Sequence, residues 1–240
     1  MWQWLALDRP ARGAYYAVAL AGALAAAACA VTIPRLGPER LPPVERGAVT
    51  EWVREFHPTR AVRFDLRWTY RTQQGTSRGR AAVRFVPPDS VRFDYRAPFG
   101  KSGAAVIVGD DVVWSRPEDD VGRLVQVAPL FWAALGMPRV PPEGWGVSGL
   151  AEGDVRTWRY AVPGDTLTYR ARAAVPGASL EAQMRSAGQV VGAVEVVFAD
   201  SVLQPVSSTM VFPGSASTVE FTVVAIEPIT AVDPEIWKAP

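Results

Sequence analysis

The chain of 240 residues is 49% hydrophobic and 20% charged, with 25 Lys and Arg against 24 Asp and Glu. A formal net charge of +1 lacks the basic excess expected of a nucleic-acid-binding protein and argues against strong attraction to anionic lipid surfaces. One cysteine, Cys29, excludes an internal disulfide and a cysteine-based zinc site, so the fold rests on its core.

In chain order, residues 14–28, AYYAVALAGALAAAA, form an uncharged apolar run behind Arg9 and Arg12 and end in small residues before Cys29. This is the layout of a secretory signal. Three readings fit: a lipoprotein signal cut before Cys29, an ordinary cleaved signal, or an uncleaved anchor. The last needs about 20 apolar residues, which residues 14–33 just reach. All three export the remainder of the chain. The segment resembles the bacterial lipobox, in which a peptidase cuts directly before a cysteine whose sulfur carries diacylglycerol. Ala25–Ala28 suit its small-residue slots, although Ala26 stands where leucine is usual. The resemblance implies a signal over 1–28, a lipidated (palmitate-bearing) Cys29 with an extended linker over 29–47, and a folded domain over 48–240. Ala30, which is not Asp, implies release to the outer membrane, facing the periplasm.

The linker reading rests on AVTIPRLGPERLPPVERG, rich in Pro and charge and without apolar period. It would hold a domain off a membrane. A short helix is predicted over 48–56, ended by His57-Pro58. The period then becomes two. Val62, Phe64, Leu66, Trp68 and Tyr70 alternate with Arg63, Asp65, Arg67 and Thr69, which predicts a half-buried strand. Val83 and Phe85, then Val91, Phe93 and Tyr95, continue the pattern, followed by GAAVIV and VVWSR around a Gly109-Asp110-Asp111 turn. Five strands with short turns make an antiparallel meander.

A helical patch lies within 121–136, from Pro129 onward, and 137–149 reads as a Pro/Gly loop. Six more strands come after it, from DVRTWRYAV to STVEFTVVAIE, then a helical turn near Asp233. The predicted fold is mostly β: one curved antiparallel sheet of about eleven strands, lidded by short helices. Its aromatic face must be covered. Either the helices underfill it and leave a ligand cavity, or it is a fully packed core.

Active-site signals are weak. His57 is the only histidine, no G-x-S-x-G elbow is present, and a capping or solvent-exposed role is expected. GWGVSG, residues 144–149, matches G-x-G-x-x-G but lacks the strand before and helix after, and it reads as loop. Asp110-Asp111 and Asp119-Asp120 sit at predicted turns. No metal-ligand spacing stands out. The expectation is a non-enzyme without cofactor or metal, and a monomer.

In RAPFGKSGAAVIV, residues 96–108, Pro98, Phe99 and Gly100 place a large apolar side chain at a turn. Such a residue either folds back or makes an exposed contact. The stretch PPDSVRFDYRAPFGKSGAAVIVGDDVVWSRP resembles the LolA/LolB lipoprotein-localisation superfamily, and PLFWAALGMPRVPPEGW with TWRYAV and TLTY resembles its middle. APFG is similar to the LolB loop whose exposed leucine serves membrane insertion, with Phe99 in that place. Cys29 brings the chain nearer the anchored receptor than the soluble carrier. The resemblance covers roughly 48–232. It implies an eleven-stranded half-open barrel whose cavity takes acyl chains of lipoproteins or lipids, with a soluble LolA-like carrier as partner. Candidate lining residues are Phe64, Leu66, Trp68, Val83, Phe85, Phe93, Tyr95, Val106, Val108, Trp114, Trp158 and Tyr160. Pro87 stands where the carrier has its gating Arg, so that gate does not transfer. Two other functions stay open: a lipid or glycolipid carrier, and a non-enzymatic sensor or interaction module using the concave face.

Overall fold

The computed structural model describes residues 33–109, 111–117, 127–140, 142–174, 176–230 and 234–238. The meander folds as β1 (Val62–Thr72), β2 (Gly75–Val86), β3 (Ser90–Arg96), β4 (Ser102–Val108) and β5 (Asp111–Arg116). The second run comprises β6 (Gly146–Glu152), β7 (Val155–Val162), β8 (Asp165–Arg172), β9 (Ser179–Ser186), β10 (Gln189–Phe198), β11 (Pro205–Phe212) and β12 (Ser217–Pro228). All twelve join one antiparallel sheet in the order β5-β4-β3-β2-β1-β12-β11-β10-β9-β8-β7-β6. Every neighbour is consecutive in sequence except β1 and β12, which zip the two runs together from Val62↔Pro228 to Arg71↔Thr218. The ends β5 and β6 do not pair, so the barrel stays open.

Two helices lie on one face. In α1 (Arg46–Phe56), Val49, Trp52, Val53 and Phe56 are buried. That spacing gathers them on one stripe. Pro58 then keeps His57 extended, at φ −90° and ψ 133°, and the helix stops. In α2 (Ala128–Ala134), every residue but Pro129 is buried. Phe131 meets Phe93 of β3 at 5.4 Å and Trp132 meets Phe85 of β2 at 6.1 Å, while the same helix packs on β9, β10 and β11. From β3 to β9 is six strand spacings, roughly 28 Å along a flat sheet. One helix about 10 Å wide reaches both only if the sheet curls round it.

The strand count exceeds expectation by one, and the extra strand is β6, which begins at Gly146 within the stretch 137–149 read as Pro/Gly loop and runs on to Glu152. Its composition hid it. Gly149 pairs with Trp158, and a Cβ on Gly149 would clash with the edge of the Trp158 ring. The glycine there makes room for a large cross-strand neighbour. A wider side chain would force the strands apart.

The segment read as linker is extended but not free along its described part. Pro34 O accepts from Gln183 Nε2 at 2.7 Å, and Pro38 O and Glu39 O accept from Arg159 at 2.7 and 2.8 Å. Val44 N donates to Val147 O and Gly149 N to Pro42 O, covering the otherwise open β6 edge. The strap passes from the outer face, round that edge, into α1 on the other face. It helps bury Thr157, Thr168 and Gln183. The buried core and the apolar residues packed on it run from Val44 to Ile226, so a chain beginning at Ala30 retains them all. Among the described residues no helix is long and apolar enough to cross a membrane.

Gly149→Ala should lower unfolding free energy by about 1–3 kcal/mol through overpacking against Trp158. Urea denaturation of the single variant and of Gly149→Ala/Trp158→Leu checks this, the double variant regaining part of the loss.

Candidate functional site

Alternation along β1–β3 and β7 sends most of the candidate lining residues to the helix-bearing face. Phe64, Leu66, Val83, Phe85, Phe93, Trp158 and Tyr160 are buried in one hydrophobic cluster with α1 and α2. Trp68 and Tyr95 are half-buried against it and meet at 6.3 Å. The helices press directly on these side chains. Trp52 of α1 lies 6.1 Å from Trp158 and 6.1 Å from Tyr169, and Phe56 lies 5.9 Å from Phe198.

Val106, Val108 and Trp114 are on the opposite face and do not line this concavity. The β3–β4 register pairs Val106 with Arg92 and Val108 with Ser90, both outward. Trp114 pairs with Val106, lies under the Arg92 guanidinium at 5.3 Å and donates Nε1–H to Trp237 O at 2.7 Å. Three successive buried residues, Ala105, Val106 and Ile107, conceal which parity faces the core. The bulge between Val106 and Ile107 in the β4–β5 pairing obscures it further. Cys29 lies outside the described residues.

The buried aromatic layer carries unspent polarity. Trp52 Nε1, Trp158 Nε1 and Tyr160 OH are buried without a hydrogen-bond partner. Each such group costs about 1–3 kcal/mol relative to a satisfied one. They belong to a connected aromatic group, since Tyr169 lies 6.1 Å from Trp52 and 5.9 Å from Tyr160. Burial, with Tyr169 beside it, pushes the Tyr160 hydroxyl well above the ordinary tyrosine range, so it remains a neutral donor. A packed aromatic face that holds these unpaired donors, with Ser208 Oγ also buried without a partner, suits a ligand with a long hydrocarbon part and a carbonyl or ester oxygen.

Few polar contacts hold the α2 segment down. Trp132 Nε1 donates to Gly109 O at 3.2 Å. Arg139 N donates to Tyr169 OH at 3.2 Å, and its guanidinium stacks on Trp132 at 5.0 Å and faces Asp89 at 3.8 Å. His57 ties the helices together: Pro138 O, beyond α2, accepts from His57 Nε2 at 2.7 Å, and the imidazole meets Phe85 edge-on at 6.1 Å. The histidine is the C-cap of α1, its N–H donating to Arg54 O at 3.3 Å, as a capping role predicts, and its half-buried ring is in addition a latch rather than a surface group. Burial lowers its pKa from 6.5, helped by Arg139 and opposed by the Pro138 bond and Asp89.

At the end of β3 the chain turns through Pro98–Gly100, and Ala97 N–H donates to Lys101 O at 2.7 Å. Phe99 is fully exposed and adopts φ 61°, ψ 29°. This left-handed conformation costs a non-glycine residue roughly 1–2 kcal/mol. Exposure and strain coincide at one aromatic side chain. From this end of the sheet an aromatic file runs inward: Trp68 to Tyr95, Tyr95 to Phe93 at 6.0 Å, and Phe93 to Phe131. Trp52, Trp132 and Tyr169 were not singled out from sequence. Helical spacing marks the first, but only packing shows that it meets Trp158 and Tyr169.

These features define a class: an open antiparallel half-barrel with two helices laid over an aromatic core face. No protein-family profile matches the sequence, and no curated protein does. Solved structures do. A LolA superfamily protein from Nitrosomonas europaea superposes with a TM-score of 0.57 at 11% identity, covering 81% of this chain and 98% of that one. A DUF1329 family protein from Desulfovibrio piger gives 0.49 at 7% identity, over 82% and 98% of the two chains. A putative outer-membrane lipoprotein-sorting domain from Vibrio parahaemolyticus gives 0.45 at 7%, over 80% and 95%. The fold is thus similar to that of the LolA superfamily; at these identities the likeness concerns fold alone.

A histidine with a lowered folded pKa binds fewer protons folded than unfolded. Its stabilising share is present above pH 6.5 and is lost as pH falls through the lowered value. Urea midpoints should therefore fall from about pH 7.5 towards about 5.5, and His57→Gln should flatten that slope.

Proposed function

We propose that this protein is a lipid-anchored, periplasm-facing carrier that accepts acyl chains of lipoproteins or lipids between its core face and its two helices. It delivers them to the outer membrane through the Phe99 loop, receiving cargo from a soluble LolA-like carrier. Cys29 is the anchor in this reading. The observation that carries it is Phe99: a fully exposed aromatic residue in a strained conformation, at the head of a file of rings leading into the core. Membrane contact removes the cost of exposing that ring.

Opening requires α1 and α2 to part from the sheet, because rings from both occupy the space. An acyl chain offers about 0.8 kcal/mol per buried methylene, so a long chain can replace the ring contacts that the helices give up. Such replacement keeps binding reversible, which transfer needs. The three unpaired donors would meet the ester or amide oxygen at the chain's polar end. No covalent step is involved.

One observation favours a second reading. Trp52 and Trp132 are fully buried, so the face is closed as it stands, and a regulatory module that binds polypeptide would not need to open it. Native mass spectrometry of the chain beginning at Ala30, purified from a bacterial host, separates the two. Co-purifying phospholipid or acylated peptide supports the carrier. A bare mass, together with no uptake of a fluorescent fatty acid, rejects it in favour of the module.

Phe99→Glu should abolish cargo delivery to vesicles while acyl-probe binding stays within about twofold, read by probe fluorescence before and after vesicle addition. Phe99→Gly should raise stability by up to about 1 kcal/mol by relieving the positive φ, yet it should deliver as poorly as Phe99→Glu. Cys29→Ala should move the protein from the membrane to the soluble fraction.

A further inference from the structure

The outward face of β1–β3 carries an order that the net charge hides. Direct cross-strand pairing sets Arg67 beside Arg80 and Arg80 beside Arg96. Side chains so paired have Cβ atoms about 4.5–5.5 Å apart, and like charges there repel. Further along the same strands, Arg63, Arg84 and Arg92 form a second such row. That second row is ion-paired: Arg63 meets Asp65 at 2.7 Å, and Arg84 and Arg92 share Asp94 at 2.6 and 2.8 Å. Arg67, Arg80 and Arg96 are exposed and make no ion pair among the described residues. Between the rows lie Ala82 and Ala104, whose small side chains floor a groove of about 980 Å³, with Arg116 at its far side. Seven arginines line the groove against two aspartates.

The outward face of β7–β9 is partly covered by the chain's own strap through Arg159 and Gln183, whereas the arginine face has no such cover among the described residues. The unpaired row ends at Arg96, and Phe99 stands three residues on, beside exposed Lys101. Cationic forks in a groove and an apolar tip at its rim match one partner, a bilayer with phosphate headgroups above hydrocarbon. Guanidinium groups bind phosphate oxygens in pairs.

We propose that the outward face of β1–β3 docks on an anionic phospholipid surface. Headgroup phosphates enter the groove and neutralise the Arg67-Arg80-Arg96 row. The inference shares the membrane and Phe99 with the function proposed above, but its groove is built from different residues on the opposite face from the acyl site. It gives the delivery step an orientation: the groove sets which side of the half-barrel meets the bilayer, and Phe99 enters beneath it.

The test is vesicle flotation with the chain beginning at Ala30, using phosphatidylcholine alone and phosphatidylcholine with a third phosphatidylglycerol. The parent should bind the anionic vesicles at least about tenfold more tightly, given an attraction of about fivefold per surface arginine, and salt should erase the difference. Arg67→Gln/Arg80→Gln/Arg96→Gln should lose the preference, keep acyl-probe uptake, and unfold at an equal or higher temperature because repulsion is relieved. Arg63→Gln, in the paired row, should keep it. Phe99→Glu should weaken binding to both vesicles and retain the anionic preference, so a failed loop is distinguishable from a failed groove. An unchanged preference in the triple variant, or none in the parent, overturns the proposal. Tight binding of polyglutamate without vesicle binding would overturn it in favour of an acidic polypeptide.

Discussion

The contact of α2 with strands from both halves of the sheet is the constraint on which the rest depends. Phe131 and Trp132 reach Phe93 and Phe85 on one side, and the same helix packs on β9–β11 on the other. The sheet cannot flatten without baring this aromatic layer, at about 1.5–3 kcal/mol for each large side chain exposed. Curvature, the open seam between β5 and β6, and the division into a helix-bearing face and an outward face all result from keeping that layer covered.

The helix-bearing face is closed by rings and held by few polar bonds. That combination suits a face that opens. Dispersion and burial are non-directional, so a hydrocarbon chain can substitute for a tryptophan without matching its geometry. Directional bonds would have made the closure specific and harder to exchange. Two of the latches, His57 to Pro138 O and Arg139 N to Tyr169 OH, hold the segment that follows α2, while Trp132 Nε1 to Gly109 O holds the helix itself. The buried donors of Trp52, Trp158 and Tyr160 add a cost to the closed state.

The outward face divides into halves whose charges are handled differently. On β7–β9 the strap from Pro34 to Val44 supplies acceptors to Arg159 and Gln183, so these two groups are satisfied from within. On β1–β3 one arginine row is satisfied by Asp65 and Asp94 and the other is not. A net charge near zero averages over these halves. It therefore argued against an anionic surface for the whole chain while saying nothing about one face of one meander.

Much of this was legible from residue order. Alternation of Val62, Phe64, Leu66 and Trp68 with charged neighbours fixes both the strand and its inward side, because side chains in a strand have period two. The spacing of Val49, Trp52, Val53 and Phe56 does the same for α1. Phe99 between Pro98 and Gly100 marks a tip because those residues favour turns. What failed were places where pattern carries no parity or no bulk. Ala105, Val106 and Ile107 are all buried, so the outward placement of Val106 and Trp114 became visible only in the register with Arg92. Strand β6 looked like loop because Gly149 is needed only where Trp158 crosses it. By itself, then, the sequence determined the class of fold, the faces of its regularly alternating strands and the turn that carries Phe99, since these depend on local periodicity and turn chemistry. Only the tertiary structure decided that two helices cover the core face, that His57 latches them, that Phe99 stands exposed, and that three arginines in one row have no ion-pair partner among the described residues. Those features depend on which distant strands become neighbours, and no local pattern encodes that.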